Sequence, residues 1–271
     1  MRIFAIKSEA DISKKELAYL LYYEKERSFY IELPEEADPW ETPLLLSSFI
    51  KRGEKTINSY WSLMWVRQRI IPSDRQNIGQ VLKENGMEEY DEFKLLMSGQ
   101  GRCAQDDYFL EEVSEDKLLE DFSYRYEKRI EDVVPLKKGY LLVFFRNGKV
   151  KKVSVKKIAD FDLHMSAIIN QETLFNKVMI QPGGYGVYWN ERAMIADYAL
   201  YAYGKEIDLS IEDFCSFVSN RVVGTAEAME LLSCSRQNIN DLVKRGKLSP
   251  IKTEQKNTLF LKSEILHRNW Q

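Results

Sequence analysis

Between Val223 and Leu248 the apolar residues fall into two short runs at helical spacing, with only a polar turn between them. Ala226, Met229 and Leu232 are three and three apart, and Ile239, Leu242 and Val243 follow at three and four. Each run places its apolar side chains on one face of a helix. Ser233-Cys234 between them is too short to be anything but an abrupt turn. Thr225 and Ser235 stand where N-cap residues are expected, and Glu227 falls in the first turn, near the positive dipole end. Small Ala226 and Ala228 permit a close crossing. Two short helices locked across an apolar seam therefore leave Arg236, Gln237, Asn238, Asn240 and Lys244 facing outward.

That arrangement is the pattern of a helix-turn-helix. Its outward residue types fit base edges: Arg can bond guanine with two hydrogen bonds, and Asn or Gln can bond adenine in the same way. The N-terminal residues of the second helix enter the major groove in such modules. Arg236, Gln237, Asn238 and Asn240 are accordingly the candidate base-reading residues. Downstream, 248–252 and 258–261 read as two short strands around the polar loop 253–257, and 263–266 starts a final helix. Thr225-Ala226-x-Ala228-x-x-Leu231-Leu232, Ser235-Arg236-Gln237-x-Ile239, Lys244-Arg245-Gly246-Lys247-Leu248 and Phe260-Leu261 resemble excisionase and MerR-type helix-turn-helix domains. The resemblance implies a small wing whose basic residues, here Lys252 and Lys256, track phosphates. Ser235, Lys244, Arg245 and Lys247 are the further candidates for the DNA backbone.

Charge is distributed to match. The 271 residues carry a net −3, yet 233–271 hold eight basic and three acidic residues, so the tail is +5 and the remainder −8. An acidic body with a basic end suggests polyanion contact at that end. No apolar stretch reaches membrane-spanning length, and the N-terminus reads as a strand rather than a signal peptide, which points to a cytoplasmic protein with no membrane partner. Cys103, Cys215 and Cys234 are three in number and widely spaced, so neither a disulfide framework nor a zinc site is expected. The two histidines, His164 and His267, have no partner at ligand spacing. Asp106-Asp107 and Glu111-Glu112 make an acidic run that reads as a solvated turn rather than a metal site. The glycines of 99–101 lack the Lys-Ser/Thr of a phosphate loop, and hairpin chemistry accounts for 182–186. No cofactor, metal or catalytic set is expected, and the chain is not read as an enzyme.

The remaining sequence suggests an α+β multidomain chain in three parts. Residues 1–126 form a mixed, mostly helical domain: strands at 2–6 and 28–33, and helices at 14–23, 44–51, 60–70, 75–85 and 90–97. Ser73 and Asp74 are candidate N-caps and Gly86 a candidate helix terminator; a charged helical stretch, 114–131, comes next. Phe49, Tyr60, Trp61 and Trp65 sit at helical spacing as core or interface residues. Residues 127–218 form a small α+β domain with hairpins. Its strongest signal is 140–145 and 150–155 around Asn147-Gly148, the pair favoured in a type I′ turn. A short helix at 163–169, a second hairpin through 178–189, and a capping box at Ser210 and Asp213 complete it. Residues 219–271 are the winged helix-turn-helix.

Two further resemblances accompany this reading. Leu142-Val143-Phe144-Phe145, Gly148-x-Val150, Phe175, Gly186-x-x-Trp189, Asp197 and Leu200-Tyr201 resemble a small bacterial α+β domain of unknown function. Trp65-x-x-x-Arg69-Ile70-Ile71-Pro72-x-x-Arg75, with Tyr90, Leu95-Leu96, Gly101 and Asp106-Asp107-Tyr108, resembles the leader of HipA-type toxin kinases. No kinase core follows, and Asp160-Phe161-Asp162 stands without a nucleotide loop around it. The expectation is a sequence-specific DNA-binding protein, a transcriptional regulator acting on double-stranded DNA as a homodimer, of a mobile-element or toxin–antitoxin locus. The alternative is a protein-binding adaptor or antitoxin-like partner of a HipA-type system, acting through the N-terminal body with DNA contact secondary.

Overall fold

Six consecutive residues, Ala18–Tyr23, are buried on both faces, and they set the architecture of the first half of the chain. In a computed structural model describing residues 1–158, 163–253 and 258–270, without the side chains of 119–121, 163 and 164, the chain divides into two compact units, Met1–Ser123 and Tyr124–Gln271.

In the first unit, β1 (Arg2–Ser8), β2 (Ala18–Tyr23), β3 (Ser28–Glu32), β4 (Thr56–Ile57) and β5 (Tyr108–Val113) form an antiparallel sheet in the order β4-β3-β2-β1-β5. The expected helix at 14–23 is therefore a strand. Leu17, Leu20 and Leu21 mimic helical spacing only because both sheet faces are covered. Ala18, Leu20 and Tyr22 enter the main core, while Tyr19 meets Phe122 edge-on at 5.3 Å. A strand buried on both sides reads as a continuous apolar run, which periodicity does not distinguish from a buried helix. The unit is thus less helical than expected.

Four helices, α1 (Leu44–Lys51), α2 (Ser59–Arg67), α3 (Ile78–Glu84) and α4 (Glu92–Ser98), lie between β3 and β5 in the chain, and Leu46, Phe49, Trp65 and Leu96 join the core. Asn58 caps α2 and Asp91 caps α4 through their side chains. Neither Ser73 nor Asp74 occupies the N-cap of α3, which starts later, after Asn77; Asn77 makes no side-chain cap bond among the described residues. Gly86, with φ +66°, comes after α3 in the left-handed region, as a helix terminator does. Trp65 and Phe49 are buried, whereas Tyr60 and Trp61 remain exposed. Helix α5 (Glu115–Tyr126) leads toward the second unit.

The second unit is built on β6 (Ile130–Leu136), β7 (Tyr140–Phe145) and β8 (Val150–Ser154), an antiparallel meander. The turn after β7 is not type I′. Gly148 is left-handed at φ +78°, but Asn147 is not, and the connection Arg146-Asn147-Gly148 has three residues rather than two. Helices α6 (Val155–Ile158), α7 (Leu163–Ile169) and α8 (Glu172–Phe175) precede a second sheet of β9 (Met179–Ile180), β10 (Gly186–Asn190) and β11 (Ala193–Ala196), in the order β11-β10-β9. Asp160, Phe161 and Asp162 lie outside the described residues. Close backbone approach accounts for Gly184 and Gly186. A Cβ on Gly184, at φ +78°, would lie 2.4 Å from the Ile130 carbonyl oxygen.

Helix α9 (Asp197–Tyr203), β12 (Lys205–Glu206, at the edge beside β8) and α10 (Ile211–Arg221) complete the central part. The capping box at Ser210 and Asp213 opens α10, and Asp213 also pairs with Lys152 of β8 at 3.2 Å. Two further ion pairs are buried, one at each helix. Arg129, just before β6, holds Asp197 at the start of α9 at 2.6 Å, with both side chains under a tenth exposed. Asp132 within β6 holds Arg221 at the end of α10 at 2.5 Å. Burial pushes the Asp132 carboxyl up, opposed by the Arg221 guanidinium.

Removing one member of such a pair strands the other charge in a low-dielectric interior. Asp197→Ala should therefore cost about 3–5 kcal/mol, measured by urea unfolding of the full chain. A loss near that of an exposed pair such as Lys149–Glu206 would show that Arg129 finds water instead.

Candidate nucleic-acid interface

Helix α10 ends at Arg221, and β13 (Val222–Gly224) begins at the next residue. Then come α11 (Thr225–Leu231), α12 (Arg236–Lys244), β14 (Pro250–Thr253), β15 (Thr258–Leu261) and α13 (Lys262–His267). The strands form a three-stranded antiparallel sheet in the order β13-β15-β14. Val223, Ala228, Ile239, Leu248, Phe260 and Ile265 make a separate small core. Around it pack Met229, Leu231, Leu232, Leu242 and Val243.

The seam between the two helices differs from expectation in one residue. Ala228 is fully buried and allows the close approach, but Ala226 is exposed. Thr225 does not cap α11. Gly224 holds the cap position, and the Thr225 hydroxyl donates to the Thr258 carbonyl at 3.4 Å, tying helix to strand. β13 explains the shift: pairing with β15 carries extended backbone up to Gly224, so Thr225 is already helical.

The turn itself is tight. Ser233 is left-handed at φ +48°, and the Cys234 amide donates to the Met229 carbonyl at 3.0 Å. Ser235 caps α12, accepting from the Asn238 amide at 3.3 Å. The far end of α12 is closed by Gly246 at φ +65°. The Gly246 amide donates to the Val243 carbonyl at 3.0 Å and the Lys247 amide to the Leu242 carbonyl at 2.8 Å. This is a Schellman closure, and it turns Leu248 into the core. Arg268 donates to the Lys247 carbonyl, and the Ser249 amide donates to Glu264 at 2.8 Å. Helix α12 is thus defined at both ends while its outer face stays open.

On that face Arg236, Gln237, Asn238 and Asn240 are all exposed. None has a side-chain hydrogen bond or ion pair among the described residues. Lys244, Arg245 and Lys247 are likewise exposed around the C-terminal end, and Ser235 at the other. Lys252 is exposed on β14. Lys256 lies outside the described residues, as does the rest of 254–257. Lys262, not singled out from the sequence, is engaged with Glu227 at 3.0 Å, which keeps that carboxylate of α11 compensated. The candidates other than Lys256 therefore fall on α12, its two ends and β14, within one small folded element.

The acidic run of the first unit is occupied by cations of its own chain. Asp106 is forked by Arg69 at 2.8 and 2.6 Å, Glu111 meets Lys7 at 3.0 Å, and Glu112 is forked by Arg2 at 2.9 and 2.8 Å. Asp107 accepts from Ser8 at 2.6 Å. Among the described residues no group of His, Cys, Asp and Glu is placed to hold a metal ion. None of the described helices is long and apolar enough to cross a membrane.

His267 at the end of α13 faces Glu131 of β6, its Nδ1 3.4 Å from a carboxylate oxygen. Burial, with Arg146 nearby, pushes its ring down to about 4, so it is neutral at pH 7. No protein-family model matches the chain, and neither the curated proteins nor the solved structures include a detectable relative.

The unfolded His267 titrates near 6.5, so between pH 6.5 and 4 the unfolded chain binds a proton that the native ring refuses. Its contribution is complete above 6.5 and is lost as the pH falls toward 4. The stability difference between the native chain and His267→Gln should shrink by roughly 2–3 kcal/mol from pH 7 to pH 4. Parallel urea midpoints across that range would show instead that the ring protonates freely in place.

Proposed function

We propose that 222–271 is a winged helix-turn-helix that binds double-stranded DNA, with α12 as the recognition helix. The observation that carries this reading is the two-sidedness of α12. Ile239, Leu242 and Val243 hold it on α11, while Arg236, Gln237 and Asn240 stand exposed and uncommitted on the other side. Exposed polar side chains without internal partners cost a fold little and contribute little to it. Here they are the residue types that read guanine and adenine in the major groove. The Ser235 cap fixes where that reading begins.

Lys244, Arg245 and Lys247 crowd one end of α12, and Lys252 comes next on β14, in positions to neutralise phosphates. Each phosphate neutralised should add about −0.9 to the slope of log affinity against log salt. One such module covers a small interface, so a specific operator calls for two copies on a two-fold site. The protein is therefore read as a homodimeric transcriptional regulator.

Selection from random duplex DNA, then gel shifts, tests this. Arg236→Ala should lower affinity for the selected site by about 1–3 kcal/mol and relax one base position. Its thermal midpoint should not move, since Arg236 has no internal partner among the described residues. Lys252→Ala should weaken selected and unrelated duplexes alike and flatten the salt slope by about 1. Enrichment of no sequence, with retention insensitive to Arg236, would remove α12 from the readout.

A further inference from the structure

Helix α10 inverts the usual arrangement of a surface helix. Its inward face meets the sheet at one residue per strand, each four positions further along. Asp213 pairs with Lys152 of β8 at 3.2 Å, Phe217 meets Phe144 of β7 edge-on at 5.1 Å, and Arg221 pairs with Asp132 of β6 at 2.5 Å. Two of these three anchors are charged. The outward face carries Ile211, Phe214, Cys215 and Val218, a stripe at spacings of three, one and three. Ile211 is 84% exposed, Phe214 57% and Val218 39%, and Cys215 is exposed as well. Leu209, just before the helix, is also open to solvent.

A surface helix normally turns its apolar stripe to the core and its charges to water. Here two ion pairs and one ring fasten the helix, and the apolar stripe is left over. Exposed apolar side chains at helical spacing mark a surface that another element covers. The stripe reads nearly the same in either direction. Its centre falls between Phe214 and Cys215, a β-branched residue closes each end, and a large ring stands beside a small thiol. A second copy of the stripe, run antiparallel, sets Ile211 against the partner's Val218 and Phe214 against the partner's Cys215, large against small. Glu212 is the only charged residue among the exposed positions of α10. An antiparallel pair displaces the two Glu212 carboxylates to opposite sides of the two-fold axis and brings opposite dipole ends together. A parallel pair would align like charges.

The footprint sets the strength of such a contact. Eleven residues make a helix about 16 Å long, and a stripe roughly 10 Å wide gives far less than the roughly 800 Å² that each partner contributes to a standard interface. The pair is therefore weak in free solution and suits subunits brought together on a common support. Helix α10 ends at Arg221 and β13 follows directly, so the axis that relates two α10 helices also relates the two copies of α12.

We propose that the outward face of α10 is the contact surface for a second copy of this chain, joined as an antiparallel helix pair around a two-fold axis. Ile211, Phe214, Cys215 and Val218 form the seam. The choice of a second copy as the partner rests in part on the reading of 222–271 as a DNA-binding module, which calls for two copies on a two-fold site. The exposed stripe and its self-complementary order do not depend on that reading.

The test uses the full chain, without and with DNA. In sedimentation equilibrium the native chain should show a monomer–dimer equilibrium with a dissociation constant on the order of tens of micromolar. Phe214→Glu and Ile211→Glu, both at exposed positions, should each weaken that dimer at least tenfold without shifting the melting temperature. Packed helix axes lie about 8–10 Å apart, so a short bismaleimide should join the two copies of Cys215, and Cys215→Ser should abolish the product. On a selected duplex with two half-sites, Phe214→Glu should lose cooperativity while keeping its affinity for a single half-site. A native chain that stays monomeric at hundreds of micromolar would overturn the proposal. So would a dimer that neither variant weakens, or one that gives no covalent product through Cys215. Monomers that still retain DNA would sink this contact alone; dimers without DNA retention would sink the DNA-binding reading and leave the contact standing.

Discussion

Two buried ion pairs, one just before strand β6 and one within it, hold the second unit's helices. Arg129 fastens the start of α9, and Asp132 fastens the end of α10. Neither bond is a surface decoration. A charge taken out of water is tolerable only when its partner is held in place, so each pair penalises every arrangement that separates its members. Such pairs contribute little net stability compared with an apolar substitute, but breaking one by removing a partner is costly. With α9 and α10 fixed on β6, the direction in which the chain leaves Arg221 is fixed as well.

Beyond Arg221 the labour is divided within single helices. Helix α12 has three apolar residues turned to the small core and a polar outer face that the fold does not use. Its two ends are closed by independent devices, the Ser235 cap and the left-handed Gly246. The first unit divides its labour differently. There the polar groups are driven inward, and Arg69 is drawn beneath the surface by stacking on Trp65 and by Asp106, which lies 37 residues away.

These differences explain what could be read from the sequence. The α11–α12 pair, the Ser210–Asp213 capping box and the β7–β8 hairpin were legible because each is made by residues close in sequence. So were the exposed candidates on α12, since an amphipathic helix declares its outer face. The details that failed involve distant partners. Thr225 satisfies the local rule for a cap, but β15 recruits β13 and moves the helix start. Ala18–Tyr23 satisfies helical spacing, but α5 covers the second face of the sheet and turns it into a strand. Asn147-Gly148 marks the turn, while the three-residue connection sets its type. β5 and β6 carried no signal strong enough to name. The ion pairs on β6 join residues 68 and 89 apart, and nothing local in Arg129 or Asp132 announces a buried partner.

The passage from α10 into β13 without a spacer has a mechanical meaning. A segment strung on a flexible tether samples orientations freely. This one is welded to a sheet, and the weld is a salt bridge sealed from solvent. Its pointing direction belongs to the entire second half of the polypeptide. Reorienting α11 and α12 against β6 requires breaking the Asp132–Arg221 clasp.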